Sequence, residues 1–386
     1  MLTHFESYPF EKLNALIAPL TPPESMELFT LTIGEPQFPT PSNITQAWQD
    51  FAPLLNKYPK SSGEGWLKDS LLQFLRTRYA LTLTHKQIIP TFGTREVLFN
   101  FPQFYLYGKQ SPAIAYPNPF YQIYEGAALA SNARVVYMNL DCANNFTPSL
   151  SQQEKREVDL VILNSPNNPT GRAMSLDSLT QWVRDALQYD FVILSDECYS
   201  EIYAKDPPPS LLEASVRAGN ESFKNIIVLN SISKRSSAPG LRSGFVAGDS
   251  EILKHYNLYR TYLGCALPLP LQKAAAIAWS DEEAPRISRE IYARNLTNAR
   301  EILELDEGAI APYSFYVWLN VGDDEGFCRF AYERSGVLVL PGSYLGRQGQ
   351  GRGYVRIALV YDEERTKRAL HALKEALDEW RAHAHL

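Results

Sequence analysis

The chain has 386 residues, 45% of them hydrophobic and 21% charged, with a formal net charge of −6. Such a chain can bury a large core in two or three domains, is not disordered, and lacks the basic footprint of a nucleic-acid binder. The N-terminus MLTHFESYPFEKLNALIAPL has no basic start, and no segment offers about 18 consecutive apolar residues, so neither a signal peptide nor a membrane span is expected.

In chain order, Glu64 to Tyr79 has the spacing of an amphipathic helix, followed by a strand at IIPTF (88–92). Strand-like runs recur at PAIAYP (112–117), RVVYMNL (134–140), VDLVILNS (158–165), DFVILSDE (190–197), NIIVLNSIS (225–233) and SGFVAGD (243–249). Short apolar runs separated by helix-length segments predict an α/β fold: a mainly parallel mixed sheet covered by helices, forming one large domain over about 46–280. Beyond residue 280 the pattern changes to a long polar-rich helix (282–305), strands at FYVWLNV (315–321) and YVRIALV (354–360), and a final amphipathic helix (362–382). A smaller α+β domain is expected over 281–386, with residues 1–45 packing on it as an arm. Cys142, Cys198, Cys265 and Cys328 lie far apart, which suits reduced thiols in a cytoplasm and predicts neither a metal site nor a disulfide framework.

Five stretches end predicted strands, where parallel sheets collect ligands. SISKRSSAPGLRSGF (231–245) places Lys234 directly after an apolar run, with Ser231, Ser233 and Arg242 close in sequence. A lysine after a strand is ordinarily a surface residue, yet imine chemistry needs an amine held in a fixed orientation, and the serines with Arg242 would suit a phosphate. DFVILSDECYSEIY (190–203) puts Asp196 at a buried strand end, as a helix cap or as the carboxylate that keeps a pyridine nitrogen protonated; Tyr199 follows three residues on. SPNNPTG (165–171) is a rigid turn whose Asn168 is loop punctuation or an amide donor to a phenolate oxygen. FGTREVLFNF (92–101) starts a helix with Gly93, Thr94 and Arg95, a weak anion-site signal by itself. PNPFYQIYEG (117–126) offers aromatic rings for core packing or for covering a planar cofactor.

The ordered combination of these stretches resembles the class I/II aminotransferases of pyridoxal-5′-phosphate (PLP) fold type I, over nearly the whole chain. GEPQFPTP (34–41), KYPKSSGEGWLKDSL (57–71), VLPGSYLG (339–346) and YVRIAL (354–359) extend the likeness to both ends. The resemblance implies that Lys234 carries PLP as a Schiff base, that Asp196 pairs with the ring nitrogen, and that Tyr199 and Asn168 meet the ring oxygen. It implies that Tyr121 stacks on the ring and that Gly93, Thr94, Arg95, Ser231, Ser233 and Arg242 hold the phosphate. Tyr58 would reach the phosphate of a neighbouring subunit in a homodimer, Arg356 would pair with the substrate α-carboxylate, and Gly34 would lie in the loop closing over it. Thr94–Arg95 replaces the family's commoner Gly–Lys, and Tyr121 stands where tryptophan or phenylalanine is frequent.

GTREVLFNF, PNPFYQIYEGAAL, SDECYSEIY and LYRTYLGCA more narrowly resemble N-succinyldiaminopimelate aminotransferases. That resemblance implies amino transfer from glutamate to N-succinyl-2-amino-6-oxopimelate; another acyl-amino-acid, aspartate or aromatic aminotransferase is the alternative. Arg260 and Tyr262, in LYRTYLGCA and expected between the domains, are candidates for the distal substrate carboxylate, with a solvated helix face as the competing reading.

Overall fold

The computed structural model describes residues 5–24, 26–306 and 309–384. Its strands are β1 (Phe29–Thr30), β2 (Ile88–Thr91), β3 (Ala113–Asn118), β4 (Arg134–Asn139), β5 (Leu160–Asn164), β6 (Val192–Asp196), β7 (Ile226–Ser231), β8 (Gly244–Gly248), β9 (Tyr316–Asn320), β10 (Val337–Leu338), β11 (Leu340–Pro341) and β12 (Tyr354–Ala358). Seven form one sheet in the order β2-β8-β7-β6-β5-β3-β4, in which only the pairings of β8 are antiparallel.

The central runs are apolar at every position because the sheet is covered on both sides. Leu160, Ile162, Val192, Leu194, Ile227 and Leu229 enter one core cluster, while Val161, Leu163, Ile193, Ile226 and Val228 enter another. This is the period-2 alternation of a strand. Helix Leu176–Tyr189, capped by the Ser175 side chain, covers the second face through Leu179, Trp182, Val183 and Ala186. Helices Thr94–Leu106 and Ser250–Leu263 cover the first.

A three-stranded antiparallel sheet (β11-β12-β9) packs with helices Glu283–Ile302, Asp324–Ser335 and Glu363–Ala384 around a third cluster. The chain's front joins this part: β1 pairs in parallel with β10, and the Leu31 carbonyl accepts from the Ala358 amide at 2.8 Å. Residues 32–34 are thereby led past Arg356 to Lys234, just beyond the end of β7. Among the described residues no helix is long and apolar enough to cross a membrane.

Two local expectations are corrected. The run NIIVLNSIS does not stay extended to residue 233, because the Ser231 side chain accepts from the Ser233 amide at 3.1 Å and caps a single helical turn, Ile232–Arg235, that carries Lys234. LYRTYLGCA does not sit between domains either; most of it ends the helix Ser250–Leu263, which Leu253 and Tyr256 anchor on the large sheet's face.

Candidate active site

Strand order reverses between β3 and β5, and at such a switch point the carboxyl ends of parallel strands leave a crevice. Here it is a cavity of about 450 Å³, reached by the residues that follow β2, β3, β5, β6 and β7 and by those that precede the antiparallel β8. Four cations (Arg95, Lys234, Arg242, Arg356) and one carboxylate, Asp196, line it among the described residues.

Lys234 leans on the Gly34 carbonyl oxygen. Burial, reinforced by the nearby Arg356 and Arg242 charges, pushes its ammonium down to about 8. Gly34 must be glycine for this approach, since a Cβ there would overlap the Tyr316 hydroxyl. At the end of β6, Asp196 is buried and pairs with no cation among the described residues. Burial raises its carboxyl above the usual range, while hydrogen bonds from the Cys198 thiol, the Tyr124 hydroxyl (2.8 Å, to Oδ2) and the Cys198 amide (3.3 Å, to Oδ1) oppose that rise. The Tyr199 and Tyr316 hydroxyls share a hydrogen bond at 2.9 Å.

Arg356 is buried on β12 with its plane over the Tyr316 ring, 4.5 Å from the centroid. Its Nη1 donates to Asn168 Oδ1 at 2.7 Å and its Nη2 to the Thr32 carbonyl at 2.5 Å, leaving Nε buried without a partner. A buried donor without an acceptor is costly, and a carboxylate would satisfy it. At the opposite wall, Gly93 (φ 73°) caps the 13-residue helix that starts at Thr94, and a Cβ there would strike the Arg242 guanidinium. Ser231, Ser233 and Arg242 line the same end, so amides, hydroxyls, a guanidinium and a helix terminus converge on an anion-sized space.

The family model for aminotransferases of class I and II matches residues 27–373. The chain belongs to that family. Aminotransferase AspB of Helicobacter pylori is 50% identical, with a TM-score of 0.95 over 97% of this chain and 100% of that one. An aminotransferase of Neisseria meningitidis is 40% identical, with a TM-score of 0.92 and 98% of each chain covered. The LL-diaminopimelate aminotransferase of Halothermothrix orenii is 28% identical over 96% of either chain.

Class I/II aminotransferases of this fold use PLP, and the cavity suits it. A planar molecule with a phosphate at one end and a basic ring nitrogen at the other matches an anion cradle facing a buried carboxylate that has no cation. Lys234 stands on the same wall with its amine partly deprotonated at neutral pH. Of the residues singled out from sequence, Gly34, Thr94, Arg95, Tyr121, Asn168, Asp196, Tyr199, Ser231, Ser233, Lys234, Arg242 and Arg356 all line this cavity, and Gly93 adjoins it.

Three of the sequence-selected residues stand differently from expectation. The Arg95 side chain turns from the phosphate end: its Nε donates to the Tyr121 hydroxyl at 2.8 Å and its Nη2 to the Tyr8 hydroxyl at 3.1 Å, so only its backbone amide belongs to the helix terminus. Arg260 does not line the cavity. It is 1% exposed and bound by Glu96 (2.6 and 3.2 Å) and by the Ser61 and Cys265 carbonyls, so burial away from the cavity keeps it from a substrate; Tyr262 points to solvent. Tyr58, expected to serve a neighbouring subunit, does not differ in this way: it is wholly exposed and outside the cavity wall of its own chain. Sequence reasoning missed Tyr8, Tyr124 and Tyr316. Tyr124 was within reach, being three residues after Tyr121 in the same aromatic stretch; nothing local marks the other two.

Proposed function

We propose that this aminotransferase moves the amino group of glutamate to N-succinyl-2-amino-6-oxopimelate. The observation that carries the reading is the charge left over in the cavity. The phosphate end uses Arg242 and an α-carboxylate uses Arg356, yet Arg95 remains at the mouth with only two neutral phenols and no carboxylate partner among the described residues. A guanidinium at the cavity wall, still partly open to solvent and without an ionic partner among the described residues, favours a second anionic group on the substrate. Glutamate and the succinylated keto acid both carry one, the motifs shared with N-succinyldiaminopimelate aminotransferases point the same way, and relatives named for diaminopimelate act on the same carbon skeleton.

PLP, when bound, supplies a carbonyl that takes up the amino group and a ring that accepts electrons from the substrate Cα. Lys234 would hold the cofactor and, as an amine, would carry a proton to and from the substrate Cα. Asp196 would keep the ring nitrogen protonated, Asn168 and Tyr199 would hold the ring oxygen, and Tyr121 would cover the ring. Arg356 fixes the α-carboxylate so that the bond to be broken stands across the ring plane.

The test is a coupled assay of glutamate against the succinylated keto acid, its unacylated counterpart, oxaloacetate and an aromatic keto acid. The first should be preferred, and preference for another would replace it as the acceptor. Arg95→Met should raise KM for the dicarboxylic partners by about ten- to a hundredfold, the loss of one charge-assisted pair, and KM for alanine by less than about threefold. Equal losses for both classes would remove Arg95 from substrate selection.

We also propose a homodimer with shared active sites. Tyr58 and Tyr262 are exposed together with Leu55 and Leu258, and a Ser61–Thr261 hydrogen bond of 3.0 Å ties the two segments into one surface. Mixing Tyr58→Phe and Lys234→Ala proteins should yield hybrids more active than either parent. A mixture no better than its parents, with subunit exchange demonstrated, would leave each site to a single chain.

A further inference from the structure

Asp196 faces the cavity, but what holds it comes from elsewhere in the chain. Tyr124 lies in the first turn of helix Ile123–Ala130, 72 residues before Asp196 in sequence, and is fully buried. Its hydroxyl has one hydrogen bond, to Asp196 Oδ2 at 2.8 Å. Tyr121, three residues earlier, meets it edge-on with centroids 5.9 Å apart and an interplanar angle of 79°. The turn that enters this helix, closed by the Tyr124 amide on the Tyr121 carbonyl at 3.0 Å, thus supplies both a ring that lines the cavity and the hydroxyl behind the carboxylate. Burial and the neighbouring carboxylate hold the Tyr124 phenol well above its ordinary range, so it stays a donor at any working pH.

We propose that Tyr124 is a positioning residue for the cofactor's nitrogen: its hydroxyl orients the Asp196 carboxylate and keeps it charged, so that the proton shared with the ring stays on the ring. The physical basis is that a buried carboxylate with no cationic partner depends on hydrogen-bond donors to remain ionised. Asp196 has three among the described residues, the Tyr124 hydroxyl at 2.8 Å, the Cys198 amide at 3.3 Å and the weakly donating Cys198 thiol, so the hydroxyl is the short, strong one. Without the Tyr124 hydroxyl the carboxylate becomes more basic, the proton moves toward Asp196, and the ring is left a poorer electron acceptor. The Cys198 thiol also meets Asp196, but a thiol is a weak donor and its sulfur is shared with the Thr94 hydroxyl at 3.1 Å. The inference rests on the assignment of PLP to this cavity and not on the choice of keto acid; were that assignment wrong, wild-type protein too would fail to take up PLP.

The test compares wild-type and Tyr124→Phe apoproteins for affinity toward PLP and toward an analogue with carbon in place of the ring nitrogen. The substitution removes one oxygen and keeps the ring packing, and circular dichroism checks the fold. Affinity for PLP should fall about tenfold, as expected on losing a hydrogen bond to a charged group, while affinity for the analogue should change by less than about twofold. The ¹⁵N resonance of labelled cofactor in the variant should move toward the unprotonated position, and kcat should fall more than KM rises. In an Asp196→Asn background, Tyr124→Phe should have no further effect on PLP affinity. Equal weakening toward both ligands, an unmoved ¹⁵N resonance, or an undiminished loss in the Asp196→Asn background would each assign Tyr124 to packing and overturn the proposal.

Discussion

Lys234→Ala is expected to lower transamination by at least about 10⁴-fold, the upper end of what a positioned proton-transfer group contributes, because it removes both the covalent anchor and the proton carrier. PLP should still bind, since the phosphate cradle and Asp196 are untouched. In the parent enzyme, borohydride reduction followed by peptide mapping should find the cofactor on Lys234, and label on another lysine would displace the assignment. The burial of Lys234 adds a pH dependence with a definite sign. The neutral amine is the reactive form, and with its pKa pushed down to about 8, about a tenth of it is neutral at pH 7. An unperturbed lysine would have about three parts in ten thousand. Attachment of PLP to apoprotein should therefore speed up as pH rises through about 8 and then level off. A rate still climbing beyond about pH 10 would show that the lysine is not desolvated in the way its surroundings indicate.

Asp196→Ala is expected to lower kcat by roughly two to four orders of magnitude while Lys234 still takes up the cofactor. The argument is one of charge. Asp196 is the single carboxylate lining a cavity that carries four cations among the described residues, and it sits 4% exposed at the end of β6. Deleting it leaves the ring nitrogen facing alanine and an orphaned Tyr124 hydroxyl, so nothing nearby stabilises a protonated ring. Spectroscopic titration of the bound cofactor should show retained attachment with an altered ring ionisation. Near-normal kcat in this variant would take Asp196 out of the chemistry and leave it as a cap for the turn that begins at Cys198.

Much of the machinery was legible because it is local. A strand needs a run of apolar β-formers and its end needs a polar residue, so β5, β6 and β7 with Asn168, Asp196, Tyr199, Ser231 and Lys234 could be marked from pattern and motif alone. Gly93 could be placed at a helix start for the same reason. What the chain's own order could not say is which distant groups meet. Arg260 and Arg95 are both arginines beside aromatic residues in their motifs, yet Glu96 closes on Arg260 from 164 residues away while Arg95, next to that same glutamate, turns outward to Tyr121 and Tyr8. Glu96 and two backbone carbonyls hold Arg260, and packing of helix Ser250–Leu263 on the sheet decides that this carboxylate goes to Arg260. The Tyr124–Asp196 bond, the seat of Lys234 against Gly34 and the Arg356 contacts with Thr32 and Asn168 arise in the same way. Each joins elements brought together only by the order of strands in the sheet and by the antiparallel β12, and burial then makes every unpaired donor costly enough to select its partner.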